Sequence, residues 1–278
     1  MAFQVTGLTL MEGGPLVGLD AFNSRPLVPS EAWTTSGGTE YTWTDIWFTN
    51  HILQAVLAAI IVIAFWLYVT RKPQVVPSKS QFSGEFLYNV VRNGIAREMI
   101  GPDFIKYVPW LLTLFSFIIV NNYFGEFFIF MFPTFGKVGF VWVLALLSWL
   151  LYNVVGIRKH GFLGYLKKQT IPPGVPAPLL ILILPLEFLT NIVIRPITLT
   201  LRLFVNLFAG HMLILVFVLG GEQLLRYSGN ILFNGAGVLA WIVSLAIFAL
   251  ELLIAFLQAY VFTILTTQYV STAVAEEH

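Results

Sequence analysis

Apolar and polar positions divide this chain into long hydrophobic runs separated by shorter polar stretches. A run of about 20 apolar residues, folded as a helix, crosses the ~30 Å hydrocarbon core of a bilayer. The runs predict an all-α integral membrane fold. Its five membrane segments lie at about 50–69, 107–131, 138–156, 179–219 and 237–272.

The last two runs are too long to stand upright in a bilayer. At 1.5 Å per residue, 179–219 would form roughly 60 Å of helix and 237–272 roughly 54 Å. We therefore expect both helices to be strongly tilted or kinked, with Pro185 and Pro196 as candidate kink sites. We expect a loop at 220–236, which holds Glu222, Arg226 and several glycines, to connect them. Folded back on each other, the two runs would form an antiparallel hairpin.

The polar stretches predict the remaining organisation. Residues 1–48 indicate an irregular extramembrane segment, and 49–278 a membrane domain. Within that domain, an amphipathic pattern at about 81–100 predicts a helix that lies along the membrane surface. An ordinary surface helix packed on protein is the alternative. The lysines and prolines after the third segment indicate a basic loop that extends to Pro178.

Composition and charge narrow the class of protein. The chain is 58% hydrophobic and 10% charged, whereas soluble domains carry about 25% charged residues. A net charge of +1 argues against a nucleic-acid partner, and the absence of cysteine excludes disulfides and thiol chemistry. Four scattered histidines without a ligand motif predict neither a metal site nor another cofactor.

Lysine and arginine counts predict the orientation. The stretch between the first two segments carries six, and the stretch between the third and fourth carries four. Each of the other four extramembrane stretches carries at most one. The positive-inside rule places the two basic stretches in the cytoplasm. The N-terminus is then outside the cell and the C-terminus inside.

The fourth run carries charges that a plain anchor would avoid. They are Glu187, Arg195, Arg202 and His211, together with the amide of Asn206. An arginine at the bilayer centre costs roughly 2.5–3.5 kcal/mol on insertion scales, and Arg202 is too far from either end of its run to reach a surface. Arg195, Arg202 and Asn206 share one face of an ideal helix. Arg202 is either a structural arginine, paired with Glu187 or with carbonyls, or it handles an ion or a partner's carboxylate.

The fifth run carries a matching polar stripe. Ser244, Glu251, Gln258 and Tyr269 lie close to one line along an ideal helix. We expect Ser244 and Gln258 to bond between helices. Tyr269, near the membrane edge, is expected to act as an interface anchor.

One register of the antiparallel hairpin aligns the two polar stripes. It places Arg202 at the depth of Gln258, and His211 at the depth of Glu251. A buried carboxyl beside an imidazole can relay protons, or the two can form a structural pair. Arginine keeps its charge and so holds a fixed cation in place. Arg202 and His211 lie about half a turn apart on an ideal helix, so the two face different sides unless the helix is distorted.

Two motifs carry a family resemblance. They are Arg195-Pro-Ile-Thr-Leu-Thr-Leu-Arg202-Leu-Phe-x-Asn206-x-x-Ala-Gly-His211 and Glu251…Gln258-Ala-Tyr-Val-Phe-x-x-Leu…Tyr269. Over about 185–272 the chain closely resembles subunit a of F-type ATP synthases. The segment 1–48 matches nothing specific in that family.

The resemblance implies a function. Subunit a is the stator beside a rotating ring of c subunits, and it is not catalytic alone. Two offset half-channels load and unload protons on the ring carboxylates. The family's essential arginine, matched by Arg202, separates them and keeps the facing carboxylate ionised. Positions of the external half-channel are matched by Asn206, His211, Glu251 and Gln258.

Four further residues are candidates to support the proton path, namely Arg195, Glu187, Ser244 and Tyr269. The implied partners are the c-subunit ring, b-type peripheral stalk subunits, the rest of the ATP synthase complex and the lipid bilayer. The acidic N-terminal segment and the charge pattern favour a bacterial plasma membrane.

Two other classes of function compete with this interpretation. A stand-alone secondary transporter would usually show inverted repeats and broken helices in two halves, and neither is evident in the sequence. A structural scaffold would use the polar stripes for assembly only. It predicts that neutralising Arg202 impairs assembly, whereas a channel predicts an assembled but uncoupled complex.

Overall fold

A computed structural model describes residues 26, 30, 49–71, 74–126, 133–170, 177–227 and 231–275. Most of them are helical. The α-helices are α1 (Asn50–Thr70), α2 (Lys79–Val91), α3 (Arg97–Ile100), α4 (Val108–Glu126), α5 (Val138–His160), α6 (Phe162–Thr170), α7 (Ala177–Phe188), α8 (Arg195–Tyr227) and α9 (Ile231–Val274). Apart from residues 26 and 30, the segment predicted at 1–48 lies outside the described residues.

Five helical stretches are long and apolar enough to cross a membrane, which confirms the predicted fold class. They are Asn50–Thr70, Val108–Glu126, Val138–His160, Leu182–Arg226 and Ile231–Val274. The polar residues at 220–236 were expected to form a loop, and that expectation is wrong for most of them. α8 continues to Tyr227 and α9 begins at Ile231.

The last turns of α8 and the first turns of α9 are helical because their side chains suit a helix end and their glycines permit close packing. Glu222 and Arg226 form an i,i+4 ion pair of 2.7 Å in the last turns of α8. A Cβ on Gly221 would lie 3.0 Å from the carbonyl oxygen of Gly237. Small residues at such a crossing allow two backbones to approach closely.

The fourth membrane segment contains a π-helical turn at Leu189–Ile194, between α7 and α8. The N–H of Arg195 bonds to the carbonyl of Thr190, one residue farther back than in an α-helix. Pro196 has no N–H to offer the carbonyl of Ile192. The distortion expected at Pro196 therefore takes the form of a π turn, whereas α7 continues past Pro185.

Side chains of α5 take up the two carbonyls that the π turn releases. Trp149 Nε1 donates to the Ile192 carbonyl at 3.0 Å, and the Tyr152 hydroxyl donates to the Asn191 carbonyl at 3.2 Å. Backbone groups inside a bilayer need such partners because lipid offers none. The aromatic residues of α5 thus compensate for the proline in the neighbouring segment.

The predicted basic loop after the third segment is wrong in its first part, which is helical. α5 runs through Arg158-Lys159 to His160, and α6 follows at once. Gly161 separates them with φ of +73°, a left-handed conformation that glycine adopts without strain. Residues 171–176 of the predicted loop lie outside the described residues.

α2 begins at a serine cap and carries an exposed apolar face. The Ser78 side chain accepts a hydrogen bond from the N–H of Gln81 at 3.4 Å. Phe82 and Phe86 are 62% and 56% exposed. Large exposed aromatics on an amphipathic helix favour a place at the membrane surface over packing on protein. A π turn at Arg92–Ala96 links α2 to α3 within the predicted 81–100 region.

The chain divides into two compact units. The first comprises Met1–Leu57, Asn121–Lys137 and Val205–Phe256, and the second Ala58–Val120, Val138–Phe204 and Leu257–His278. In the first unit, α8 and α9 pack antiparallel, and Trp241 Nε1 donates to the Val218 carbonyl at 3.2 Å. In the second unit, Tyr152 and Tyr165 form a buried cluster with Val270 and Ala273 of α9.

Candidate functional site

Three ionisable side chains meet inside the first unit. We call Glu126, His211 and Glu251 the carboxylate–histidine cluster. His211 Nδ1 lies 2.9 Å from Glu251 Oε1 and 3.7 Å from Glu126 Oε1. All three residues are buried, and they come from the end of α4, the middle of α8 and the middle of α9. This contact confirms the predicted hairpin register for His211 and Glu251.

Backbone carbonyls fix the orientation of the His211 ring. Nε2 lies 3.1 Å from the Gly125 carbonyl oxygen, which can only accept a hydrogen bond. Nε2 therefore carries a proton. Nδ1 faces the Leu207 carbonyl at 3.2 Å and the Glu251 carboxylate. Because these neighbours of Nδ1 are acceptors, a shared proton is needed to bind the ring to the carboxylate. Such an arrangement can share a proton between the imidazole and the carboxylate.

Gly210 makes room for the cluster. A Cβ at this position would lie 2.2 Å from Glu251 Oε1, far inside contact distance. The glycine immediately before His211 therefore allows the Glu251 side chain to reach the imidazole. On α4, the Asn122 amide donates to the carbonyl of Ala255 at 2.9 Å and ties that helix to α9 one turn after Glu251.

Arg202 lies in a different environment from the cluster. Its side chain is exposed, and Asn206, one turn along α8, is exposed as well. Leu201 and Val205, also on α8, are 48% and 47% exposed. Within the described part of the chain, no side chain or carbonyl forms a hydrogen bond or ion pair with the Arg202 guanidinium. The structural alternative, an Arg202–Glu187 pair, is therefore not observed.

The exposure of each side chain agrees with the half-turn separation between Arg202 and His211 on α8. His211 is buried while Arg202 and Asn206 are exposed, as expected for positions about half a turn apart on α8. Asn206 therefore does not join the cluster, although the sequence grouped it with His211 and Glu251. Gln258 is buried in the second unit, and it forms no hydrogen bond with Arg202.

The predicted supporting residues have partners within their own units. The Arg195 guanidinium lies 5.0 Å from the ring centroid of Tyr269, a cation–π contact. Tyr269 also packs on Tyr152, with ring centroids 5.5 Å apart, so it is part of a packed aromatic group. Glu187 Oε2 accepts from the Asn191 amide at 3.1 Å.

The expectation that Ser244 bonds between helices is wrong. Its hydroxyl donates to the Trp241 carbonyl of its own helix at 2.8 Å. A serine hydroxyl readily bonds to the backbone carbonyl three residues earlier in its own helix. The position of Ser244 on the polar stripe does not show whether its hydroxyl bonds within the helix or to a neighbouring helix.

Glu126 is the member of the cluster that sequence reasoning missed. Its place after Asn121-Asn122 reads as the polar end of an apolar run. A signal was present, because Asn122 and Glu126 are four residues apart and so share a helix face. Which helix that face meets could not be derived from its own sequence.

Comparisons with known proteins point to one family. A family model described as ATP synthase A chain matches residues 52–271. The chain is 52% identical over 230 residues to an ATP synthase subunit a from Nocardioides sp., covering 83% of each chain. It is 43% identical over 233 residues to one from Pseudarthrobacter chlorophenolicus, covering 83% of this chain and 87% of the relative.

A more distant relative extends the match to most of the N-terminal segment. The ATP synthase subunit a of Streptomyces lividans is 34% identical over 271 residues, covering 96% of this chain and 90% of the relative. The extent of these matches, together with the five apolar helices, places the chain in the ATP synthase subunit a family.

Proposed function

We propose that this chain is the proton-conducting stator subunit of a rotary ATP synthase, with two offset half-channels separated by Arg202. Membership of the family makes it a multi-pass, non-catalytic membrane subunit of the F-type ATP synthase complex. The proposal goes further. The carboxylate–histidine cluster belongs to the entry path, and Arg202 faces carboxylates of a c-subunit ring.

The environment of Arg202 is the observation that carries the proposal. An exposed guanidinium that pairs with none of the described residues cannot be stabilised by lipid tails. The nearby exposed side chains Leu201 and Val205 are apolar and offer it no charge. A partner subunit that supplies a carboxylate at this depth would compensate for the charge. The guanidinium in turn would keep that carboxylate ionised, because it does not release its own proton.

The cluster supports the entry path by its chemistry. In a buried site, His211 Nδ1 lies 2.9 Å from the Glu251 carboxylate and 3.7 Å from that of Glu126. Chains of Glu and His inside membranes are typical of proton relays. Protons passing the cluster would load the partner carboxylate, and the fixed charge of Arg202 would prevent them from passing directly to the exit side. The b-type stalk subunits are further proposed partners.

Arg202→Ala tests the proposal in inverted membrane vesicles. We expect normal subunit ratios, loss of ATP-driven acidification, and retained or increased passive proton permeability once the catalytic head is removed. Arg202→Lys, which keeps a cation, should leak less than the alanine variant. Normal pumping by Arg202→Ala would contradict the proposal, and loss of the assembled complex would favour the scaffold interpretation instead.

A further inference from the structure

We propose that a cavity at the end of α1 binds the phosphate of an anionic lipid headgroup. The cavity has a volume of about 420 Å³, within the range of roughly 300–1,000 Å³ that is typical of ligand pockets. It lies in the second unit, where α1 ends and α2 begins. Its polar lining residues are Tyr68, Arg71, Gln74, Ser78, Ser80 and Gln81. We call it the α1–α2 cavity.

Arg71 supplies the positive charge that a phosphate requires. No described residue forms a hydrogen bond or an ion pair with its guanidinium. Among the described residues, no carboxylate lines the α1–α2 cavity. An anion that enters it therefore meets a cation and no like charge. A guanidinium binds phosphate through two parallel N–H groups, and such charge-assisted bonds are about twice as strong as neutral ones.

Two serines add a hydroxyl donor beside the arginine. Ser78 Oγ and Ser80 Oγ lie 3.2 Å apart, and either hydroxyl can donate to the other. Ser78 Oγ also accepts from the N–H of Gln81 at 3.4 Å. Because each hydroxyl carries one proton, the bond between the serines uses one of the two. The other proton remains available to an oxygen of the bound phosphate.

Gln81 fixes the shape of the cavity. Its Oε1 accepts from the N–H of Gln74 at 3.1 Å, and its Nε2 donates to the Gln74 carbonyl at 3.0 Å. Nε2 also donates to Glu85 Oε1 at 2.7 Å. A Cβ on Gly84 would lie 2.4 Å from Val69 Cγ1, so α2 packs directly against α1. The walls are thus in place before a ligand arrives, which lowers the entropic cost of binding.

The surroundings of the cavity favour a lipid over a free phosphate. α1 is long and apolar enough to cross a membrane, and Arg71 follows its last residue. Between the lining residues Gln74 and Ser78, Val75 is fully exposed and Val76 is 80% exposed. Exposed aliphatic side chains beside a polar cavity suit a ligand whose headgroup carries acyl chains. The positive-inside rule places this end of α1 in the cytoplasmic leaflet, where anionic lipids attract basic residues.

The test uses the intact ATP synthase in phosphatidylcholine vesicles that contain phosphatidylglycerol with a photoreactive group on its headgroup. After illumination, peptide mass spectrometry measures the labelling of residues 68–81 as the fraction of this lipid is raised. The variants are Arg71→Gln and Ser80→Ala. Lys79→Gln is the matched control, because it removes an equal charge from an exposed residue that does not line the cavity.

We expect Arg71→Gln to raise the lipid fraction at half-maximal labelling by roughly tenfold or more, since hydrogen bonds to charged groups are the stronger class. Ser80→Ala should raise it by roughly threefold, and Lys79→Gln should behave like the wild type. Equal rises in Arg71→Gln and Lys79→Gln would overturn the site and leave only a general attraction between basic residues and anionic lipid. If Arg71→Gln does not assemble, an unchanged value for Ser80→Ala would overturn it.

A competition experiment distinguishes the two sources of phosphate. Labelling of the wild type is repeated with millimolar inorganic phosphate and with potassium chloride at equal ionic strength. We expect the same labelling in both solutions. Labelling that is lost only in inorganic phosphate would overturn the lipid as the ligand, and the α1–α2 cavity would then be a site for free phosphate.

Discussion

Gly210 shows how one residue controls the geometry of the carboxylate–histidine cluster. Alanine normally stabilises a helix by roughly 1 kcal/mol relative to glycine. At position 210, however, the added Cβ would overlap Glu251 Oε1 and displace it from His211. We expect Gly210→Ala to assemble normally but to lose ATP-driven pumping by roughly tenfold or more, since a positioned acid–base pair contributes about 10²-fold or more. Pumping is measured as vesicle acidification.

Gly220→Ala is the matched control on the same helix. A Cβ at Gly220 would meet nothing within 4 Å, so this variant should pump like the wild type and be slightly more stable. If Gly210→Ala also pumped normally, the contact between His211 and Glu251 would not be needed for proton transfer, and the role proposed for the cluster would fail.

The residue scale also shows what the sequence could predict. His211 and Glu251 share a depth in an antiparallel hairpin, so their contact followed from numbering and helix length alone. Glu126 belongs to a third helix, and no spacing within α8 or α9 locates it. The hydrogen-bond partner of Ser244 could not be predicted either. A bond to the Trp241 carbonyl of the same helix and a bond to another helix both suit this position.

At the scale of elements, the π turn depends on the aromatic residues of α5, which bond to its released carbonyls. Trp149→Phe would keep the ring but leave the Ile192 carbonyl without its donor. A buried unpaired carbonyl costs about 1–3 kcal/mol, so the purified complex should unfold at a lower temperature. Trp241→Phe is the control, because Val218 lies in a regular α-helix and its carbonyl has a helical partner. Equal melting temperatures for the two variants would contradict this account.

Element boundaries were predictable only where hydrophobicity changes sharply. α1 matched its apolar run closely, because Arg71 ends it. The polar stretches after the third run and between the last two read as loops, yet much of each is helical. Ion pairs, glycine contacts and neighbouring helices stabilise those turns, and none of these is visible in local hydropathy.

At the scale of the whole molecule, the charge pattern predicts the orientation in the membrane. Five crossings would put the end of α5 and the end of α8 on opposite sides. The positive-inside rule places Arg158 in the cytoplasm and Arg226 outside. Because the chain has no cysteine, single replacements give unambiguous probes. Arg158 is exposed, and the Arg226 side chain is 69% exposed.

We expect a membrane-impermeant maleimide to label Arg226→Cys in intact cells and Arg158→Cys only in inverted vesicles. The reverse labelling pattern would mean that the chain has the opposite orientation in the membrane. The cluster would then open toward the cytoplasm and could not admit protons from outside during synthesis. Labelling of both sites from one side would mean that one of the five apolar helices does not cross. Orientation therefore decides whether the carboxylate–histidine cluster serves proton entry or proton exit.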